Sequence, residues 1–307
     1  MDSCVFEGIL LTKVLPPLLV LEFVFGVLGN GLALWIFCCH IKPWRSSTVF
    51  LFNLALADFL LNISLPFRVR YYLAGMDWTL GDSFCRASLF MLAMNRGGCV
   101  FFLTVIAVDR YFRVVHPNHP LNSMTVTKSF ILAGMLWLAT IALNIHLLLG
   151  SNLFEDGDTT RCEGFTQKNN LHCVVFFLEF LISLGIILFC TTRTYAQFHQ
   201  RHMSGQPRIR RVMMCLTAVT VMFIVCFLPS NVTRVLIWVK DARSIADCQG
   251  NQILQTSFHI TISLTYLNSM LDPVVYYFSS PSFKKICKNV VKLEHKQHRE
   301  QAKETST

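Results

Sequence analysis

The chain has 307 residues, 53% of them hydrophobic and only 15% charged, with a mean hydropathy of +0.48. A soluble domain carries about 25% charged residues, so this balance excludes a soluble fold, and several runs of about twenty apolar residues indicate a membrane protein. The net charge of +9 does not point to nucleic acid. Lys42, Arg45, Arg113, Lys128, Arg193, Arg211 and Lys288, among others, fall on one set of loops, helix ends and the tail, which orients those segments to the cytoplasm and sets them against anionic membrane lipid.

Seven spans follow in order: about Leu15–Cys39, Val49–Tyr72, Cys85–Val114, Ser129–Leu149, Leu171–Thr192, Val212–Val239 and Leu254–Phe278. Only helices and closed barrels satisfy their backbone in lipid, and runs this long are helices. The expected fold is an all-α membrane protein, a seven-transmembrane helix bundle. A short amphipathic eighth helix follows over Pro281–Leu293, where Phe283, Ile286, Val290 and Leu293 are interspersed with lysines. The division is then residues 1–14 outside, 15–279 the bundle, and 280–307 a cytoplasmic helix and tail. An odd number of spans puts the amino end outside. The first apolar run lacks the basic flank and cleavage site of a signal peptide, so it is expected to stay as a span.

Polar residues inside the spans mark what the bundle does. Span one carries Glu22 and Asn30, span two Asp58 and Arg68, and span three Arg96, with Asp109-Arg110-Tyr111 at its end. Span five carries Glu179, and span six carries Cys226-Phe227-Leu228-Pro229 and Arg234. Span seven carries Tyr266, Asn268-Ser269 and Asp272-Pro273-Val274-Val275-Tyr276. A guanidinium at the depth of Arg96 costs several kcal/mol against lipid, so it faces the bundle interior. Arg96 and Arg110 stand about four turns apart and share one face. Pro229 and Pro273 each delete a backbone hydrogen bond and can kink their helices. Asp58, Asn30, Asn268 and Asp272 are expected to share a hydrogen-bonded cluster, because an isolated carboxylate at mid-membrane is too costly.

Arg68, Arg96 and Arg234 all belong to the outer half. Guanidinium is a planar fork that matches a carboxylate in two places. Three such groups around one cavity repel unless an anion binds or acids neutralise them, and Glu22 and Glu179 are the nearest acids. The competing readings are that Arg68 and Arg234 snorkel to the interface and that Arg96 sits in an internal salt bridge.

Asp109-Arg110-Tyr111 at the end of the third span, with Cys85 at its start, resembles the rhodopsin-like G-protein-coupled receptors. The run M-L-A-M-N-R followed by F-L-T-V-I-A-V-D-R-Y-F-R-V-V-H-P resembles the hydroxycarboxylic acid receptors, with the hydroxy- and oxo-eicosanoid receptors as relatives. The resemblance implies a plasma-membrane receptor for a small carboxylic acid that signals through an inhibitory heterotrimeric G protein and lowers cAMP. It implies that Arg96 receives the ligand carboxylate and that Tyr266 supplies a hydroxyl. Arg68 and Arg234 match arginines of the lactate-binding member, which favours a lactate-like acid. Asp109, Arg110, Tyr111, Phe227, Pro229, Asp272, Pro273 and Tyr276 match the coupling and switch positions. Asn30, Asp58, Asn268 and Ser269 match the polar core. The family's disulfide between the third span and the second outer loop falls on Cys85 and Cys162, and Cys4 and Cys248 match a second pair. Counting Cys173, the outer thiols also allow other connectivities.

Four departures from the family pattern stand out. Ser183 replaces the usual proline of span five. Cys99 replaces a serine that helps hold sodium beside Asp58, and thiol is a poor ligand for a hard cation, so no metal is expected. Glu163-Gly164 and Met76 replace residues of the nicotinic-acid-binding member, which argues against a niacin-like ligand. No cofactor is expected.

An amine receptor would need an acid where Leu92 stands, and an opsin a lysine within Leu254–Phe278. No nucleophile–base constellation or metal-ligand spacing points to an enzyme. The runner-up is a receptor for hydroxylated or oxidised fatty acids. A transporter, which would show inverted repeats, is more remote.

Overall fold

A computed structural model of the chain describes residues 9–156, 159–164, 170–200, 207–242 and 248–289. Seven long helices run as α1 (Ile9–Trp35), α2 (Ser46–Leu73), α3 (Asp82–Val115), α4 (Val126–Asn144), α5 (Asn170–Gln200), α6 (Pro207–Ala242) and α7 (Cys248–Ser279). A short helix, α8, follows at residues 281–289. A π-helical turn, Ile36–His40, closes α1. Between α4 and α5 lie a one-turn helix, His146–Leu149, and a hairpin of β1 (Leu153–Asp156) and β2 (Thr159–Cys162), whose register pairs Leu153 with Cys162.

Helices α1 to α6 are each long and apolar enough to cross a membrane. The seventh, α7, is equally long but trades apolarity for Ser263, Thr265, Asn268, Ser269 and Asp272, all buried inside the bundle. It packs between α6 and α1, while α3 touches α2, α4, α5 and α6. The third helix is thus the axis of the bundle.

The helices overrun the apolar spans for a physical reason. Hydropathy marks the length in lipid, whereas a helix continues into water as long as its backbone stays paired. So α5 and α6 carry Arg193, Arg210 and Arg211 on helical turns beyond the apolar stretch. Helix α1 begins at Ile9, ahead of the apolar span that starts near Leu15. Leu11, Leu15 and Leu19 are fully buried at helical spacing, and Pro16-Pro17 is accommodated within α1. Span four is shorter than expected. It stops at Asn144, and its expected tail forms the separate turn at His146–Leu149. Of Pro281–Leu293, residues 281–289 are helical and the remainder lies outside the described residues.

Close helix approach is set by small residues. A Cβ on Gly29 would sit 2.9 Å from Cγ of Pro273, so α1 meets the proline turn of α7 only because that side chain is absent. One aromatic stack fills the centre. The rings of Phe180 and Phe223 stack at 5.6 Å, and Phe223 meets Phe227 at 5.0 Å, joining α5 to α6. On the other side of α3, Trp137 donates its indole N–H to Asn53 at 2.9 Å, holding α4 against α2.

Candidate functional site

Arg96 stands on α3 near the Cys85 end and is 7% exposed. Its Nη1 donates to Glu179 Oε2 on α5 at 3.3 Å, and its guanidinium lies 3.3 Å from the ring centroid of Phe176. Its Nε and Nη2 are buried without a hydrogen-bond partner among the described residues. Those two N–H groups form one edge of the guanidinium plane, the edge that takes a carboxylate in two parallel bonds. An acid therefore holds one end of the fork while an open edge remains. Glu22, the other acid expected near the arginines, is buried on α1 with neither oxygen hydrogen-bonded.

A cavity of about 40 Å³ opens beside Arg96, lined also by Arg68, Leu89, Leu92, Phe176 and Tyr266. Arg68, on α2, donates Nη1 to the carbonyl of Cys162 at 3.1 Å and lies over Tyr71. Arg68, Arg96 and Tyr266 thus line one cavity. Arg234 stands within electrostatic reach of Arg96 but is not among the residues lining this cavity. It lines a neighbouring apolar cavity of about 120 Å³ with Phe177, Val235 and Trp238, with its guanidinium 5.7 Å from the Phe258 ring. Phe176 lines both cavities.

The loop above the cavity is fastened at several points. Cys85 and Cys162 are disulfide-bonded, with Cα atoms 5.8 Å apart. Trp78 N–H donates to the carbonyl of Thr160 at 2.7 Å, and Thr160 N–H donates to Asp77 at 2.9 Å. Glu163 accepts from the Tyr71 hydroxyl at 3.3 Å and lies 3.4 Å from Nε2 of His259, whose Nδ1 meets the Tyr72 hydroxyl at 3.1 Å. Burial pushes the Glu163 carboxyl up, but the His259 hydrogen bond and charge, with Arg161 and Arg68, hold it below its ordinary value. Gly164 follows, with its Cβ position 3.0 Å from Leu147, so the loop drops close over the cavity. Cys4 and the side chains of Cys248 and Cys173 lie outside the described residues, and with them the second expected disulfide.

Below the cavity the buried polar side chains of α1, α2, α3 and α7 are joined by hydrogen bonds. Asn30 donates to the carbonyl of Ser269 at 2.8 Å and to its hydroxyl at 3.3 Å. Tyr276 donates to Asn30 and Asp58, both at 3.0 Å, and Asn268 donates to Asp272 at 2.8 Å. Asn95 adds a contact of 3.2 Å to Asp58, and the Cys99 thiol donates to the same oxygen at 3.3 Å. The donor atoms of Asp58, Cys99 and Asp272 all lie within 4.8 Å of one another. With a thiol already bonded to the carboxylate, this set is a poor match for a hard cation. On α6, the Phe227 carbonyl accepts from Ser230 at 3.0 Å and Asn231 at 2.8 Å, beside Pro229.

At the far end of α3, Asp109 meets Arg110 at 3.0 Å. It is held more fully by Arg113, whose Nε reaches both oxygens at 3.0 and 2.9 Å and whose Nη2 reaches Oδ1 at 2.9 Å. Arg113 also donates to Ser46 at 3.2 Å, and the Tyr111 hydroxyl meets His116 at 3.1 Å. Sequence reasoning passed over Arg113, though its i,i+4 spacing from Asp109 was visible. Asn95 was detectable too, as a polar residue in an apolar run. Phe176 gave no local signal, and for His259 the sequence showed an outer-side histidine but not its partners Tyr72 and Glu163, which come from distant elements.

Residues 29–276 match the family described as 7 transmembrane receptor (rhodopsin family). Hydroxycarboxylic acid receptor 3 of Homo sapiens is 50% identical over 285 residues, covering 92% of this chain and 74% of its own length. Hydroxycarboxylic acid receptor 1 of Homo sapiens is 45% identical over 288 residues, covering 92% and 82%. Oxoeicosanoid receptor 1 of Homo sapiens is 41% identical over 281 residues, covering 89% and 71%.

Proposed function

This chain belongs to the rhodopsin family of seven-transmembrane receptors, and we propose that within it the chain is a receptor for a small hydroxy-monocarboxylic acid, lactate-like, that lowers cAMP through an inhibitory G protein. The observation that carries the ligand class is the open Nε/Nη2 edge of Arg96, buried beside a cavity while Glu179 occupies the other end of the fork. Buried N–H groups of a cation left unbonded are costly, and a carboxylate satisfies both at once. Arg68 adds a second cation and Tyr266 a hydroxyl on the same cavity wall.

The space supports a compact ligand. A cavity of about 40 Å³ is small against the roughly 300–1,000 Å³ of ordinary small-molecule pockets. A small acid enters with modest movement of Phe176 and the loop, whereas a long chain needs a different cavity. One observation favours the fatty-acid alternative: the apolar space behind Phe176, which a tail would reach if that ring turned away.

The Cys85 end faces outside and the Arg110 end the cytoplasm, with the basic loops and α8 against anionic lipid. Signalling is a population shift. The ligand carboxylate draws α3, α2 and α7 together above Phe227. Helix α6 then swings about Pro229, and Arg110 leaves Asp109 to meet the G protein. A panel of two- to ten-carbon acids, with and without hydroxyls, tests the reading by suppression of forskolin-raised cAMP. Two- to four-carbon hydroxy acids should be the most potent. Potency that climbs steadily to ten carbons would replace this reading with the fatty-acid one.

A further inference from the structure

Asn144, the last residue of α4, lines the same cavity as Arg96 and Tyr266. We propose that it recognises the ligand's hydroxyl group, accepting the O–H at Oδ1, and so selects 2-hydroxy acids over plain short acids. The inference rests on the carboxylic-acid reading given above and names the residue that recognises the second polar group of that acid.

Its placement is set by α3. A Cβ on Gly97 would lie 2.7 Å from Cγ2 of Thr140, 3.4 Å from Oε1 of Glu179 and 3.7 Å from Nδ2 of Asn144. The bare backbone next to Arg96 therefore lets α4 and α5 close on α3 and brings the amide of Asn144 to the level of the guanidinium. Ile141 and Ile145 beside it are exposed on the outside of the bundle, where an amide would find no partner in lipid. Asn144 is half-buried and turned to the cavity instead.

The polarity of the amide is fixed as well. Nδ2 donates to the Thr140 carbonyl at 2.8 Å. A carbonyl only accepts, so the nitrogen faces it and the oxygen is the amide atom left over. Oδ1 makes no hydrogen bond among the described residues. The rest of the wall is rich in donors, since Arg68 and Arg96 have no acceptor at all. Among the described lining residues, side-chain oxygens come from Asn144, Thr265 and Tyr266 alone. Thr265 gives its proton to the Ile262 carbonyl at 2.6 Å, and the Tyr266 hydroxyl is a donor that a carboxylate takes. An amide oxygen is a stronger acceptor than either hydroxyl. A lactate-like acid carries the matching set: a carboxylate for the Arg96 edge, one O–H for Oδ1, and a methyl for Leu89, Leu92 and Leu147. Three unlike contacts around one carbon also separate mirror images, so one enantiomer is favoured.

The test measures dissociation constants of the full chain in detergent, by thermal-shift titration with propionate, 2-fluoropropionate and each enantiomer of 2-hydroxypropionate. Fluorine keeps a polar bond at the same carbon but has no proton to give. In the parent, the better hydroxy enantiomer should bind about tenfold more tightly than propionate or 2-fluoropropionate. In Asn144→Leu the four acids should agree within about twofold, because the hydroxy acid weakens while propionate, with nothing to give Oδ1, stays where it was. Asn144→Ser keeps a donor for the Thr140 carbonyl but removes the amide oxygen. It should show the same levelling, and it decides the matter if Asn144→Leu does not fold. A hydroxyl preference that survives in these variants, or a fluoro acid that equals the hydroxy acid in the parent, overturns the proposal. Propionate binding that is lost in Arg96→Ala, with no hydroxyl preference in the parent, rejects the role of Asn144 alone. Absence of binding by every short acid rejects the carboxylic-acid reading and this inference together.

Discussion

Arg96 gives Nη1 to Glu179 at 3.3 Å and keeps its Nε/Nη2 edge unbonded. The pair is an internal salt bridge that is only half complete. Removing one partner of a buried pair leaves the other charge uncompensated, at a cost of about 3–5 kcal/mol. Glu179→Gln should therefore melt earlier than the parent receptor without ligand. A saturating small acid should raise its melting temperature by more than it raises the parent's, because the acid then supplies the only anion on Arg96. Equal ligand-induced shifts in both proteins would show that Glu179 does not modulate the site.

The loop clasp yields a pH prediction. The Glu163 carboxyl is held below its ordinary value, so its contribution to stability is complete above about pH 4.3. That contribution is lost as pH falls through the lower, folded-state value. Melting curves between pH 3 and 6 should drop more steeply on the acid side for the parent than for Glu163→Gln. The variant should lose about 1–3 kcal/mol at neutral pH, because the charged hydrogen bond to His259 is gone. Parallel acid limbs would exclude the clasp as a source of acid sensitivity.

Asp109 is held by three contacts from Arg113 and one from Arg110. With Arg113 in place, Asp109 remains paired when Arg110 leaves, so departure is easier. Arg113→Ala should leave Asp109 to Arg110 alone and lower basal guanine-nucleotide exchange by about two- to fivefold, in line with a pair worth up to about 1 kcal/mol at a partly exposed position. A rise in basal exchange would reverse the assigned role.

Gly29 meets the ring of Pro273 where an added Cβ would stand 2.9 Å from Cγ. That ring belongs to the last two turns of α7 and cannot swing aside as a flexible side chain would. Gly29→Ala should destabilise the receptor by about 1–3 kcal/mol, seen as a lower melting temperature in detergent. Unchanged melting would mean that α1 and α7 part without cost.

The bundle was legible in the sequence because lipid imposes a length and an apolar content on every span. The polar core was legible too, because Asp58, Asn30 and Asp272 stand out against apolar neighbours and have no cheap solution except one another. Helix ends were less so. Apolarity reports the thickness of the membrane and not where a helix stops, and Asn170–Gln200 shows the difference. Arg96, Arg68 and Tyr266 line one cavity and Arg234 the neighbouring one, a division that no local sequence pattern encodes. The pairing of Arg96 with Glu179 was one of two options the sequence offered. Only the packing of α3 against α5 selects it over Glu22.

Direct binding of a radiolabelled short hydroxy acid to the parent, Arg96→Ala and Arg96→Lys receptors bears most closely on the central claim. Arg96 is argued to receive the carboxylate through a two-point edge, and loss of a desolvated charged pairing typically costs about 2–5 kcal/mol. Arg96→Ala should therefore weaken binding by roughly thirtyfold to several thousandfold, with surface expression preserved. Arg96→Lys should restore little of it, because an ammonium offers charge without the fork. Binding unchanged in Arg96→Ala, at normal surface expression, would contradict the account.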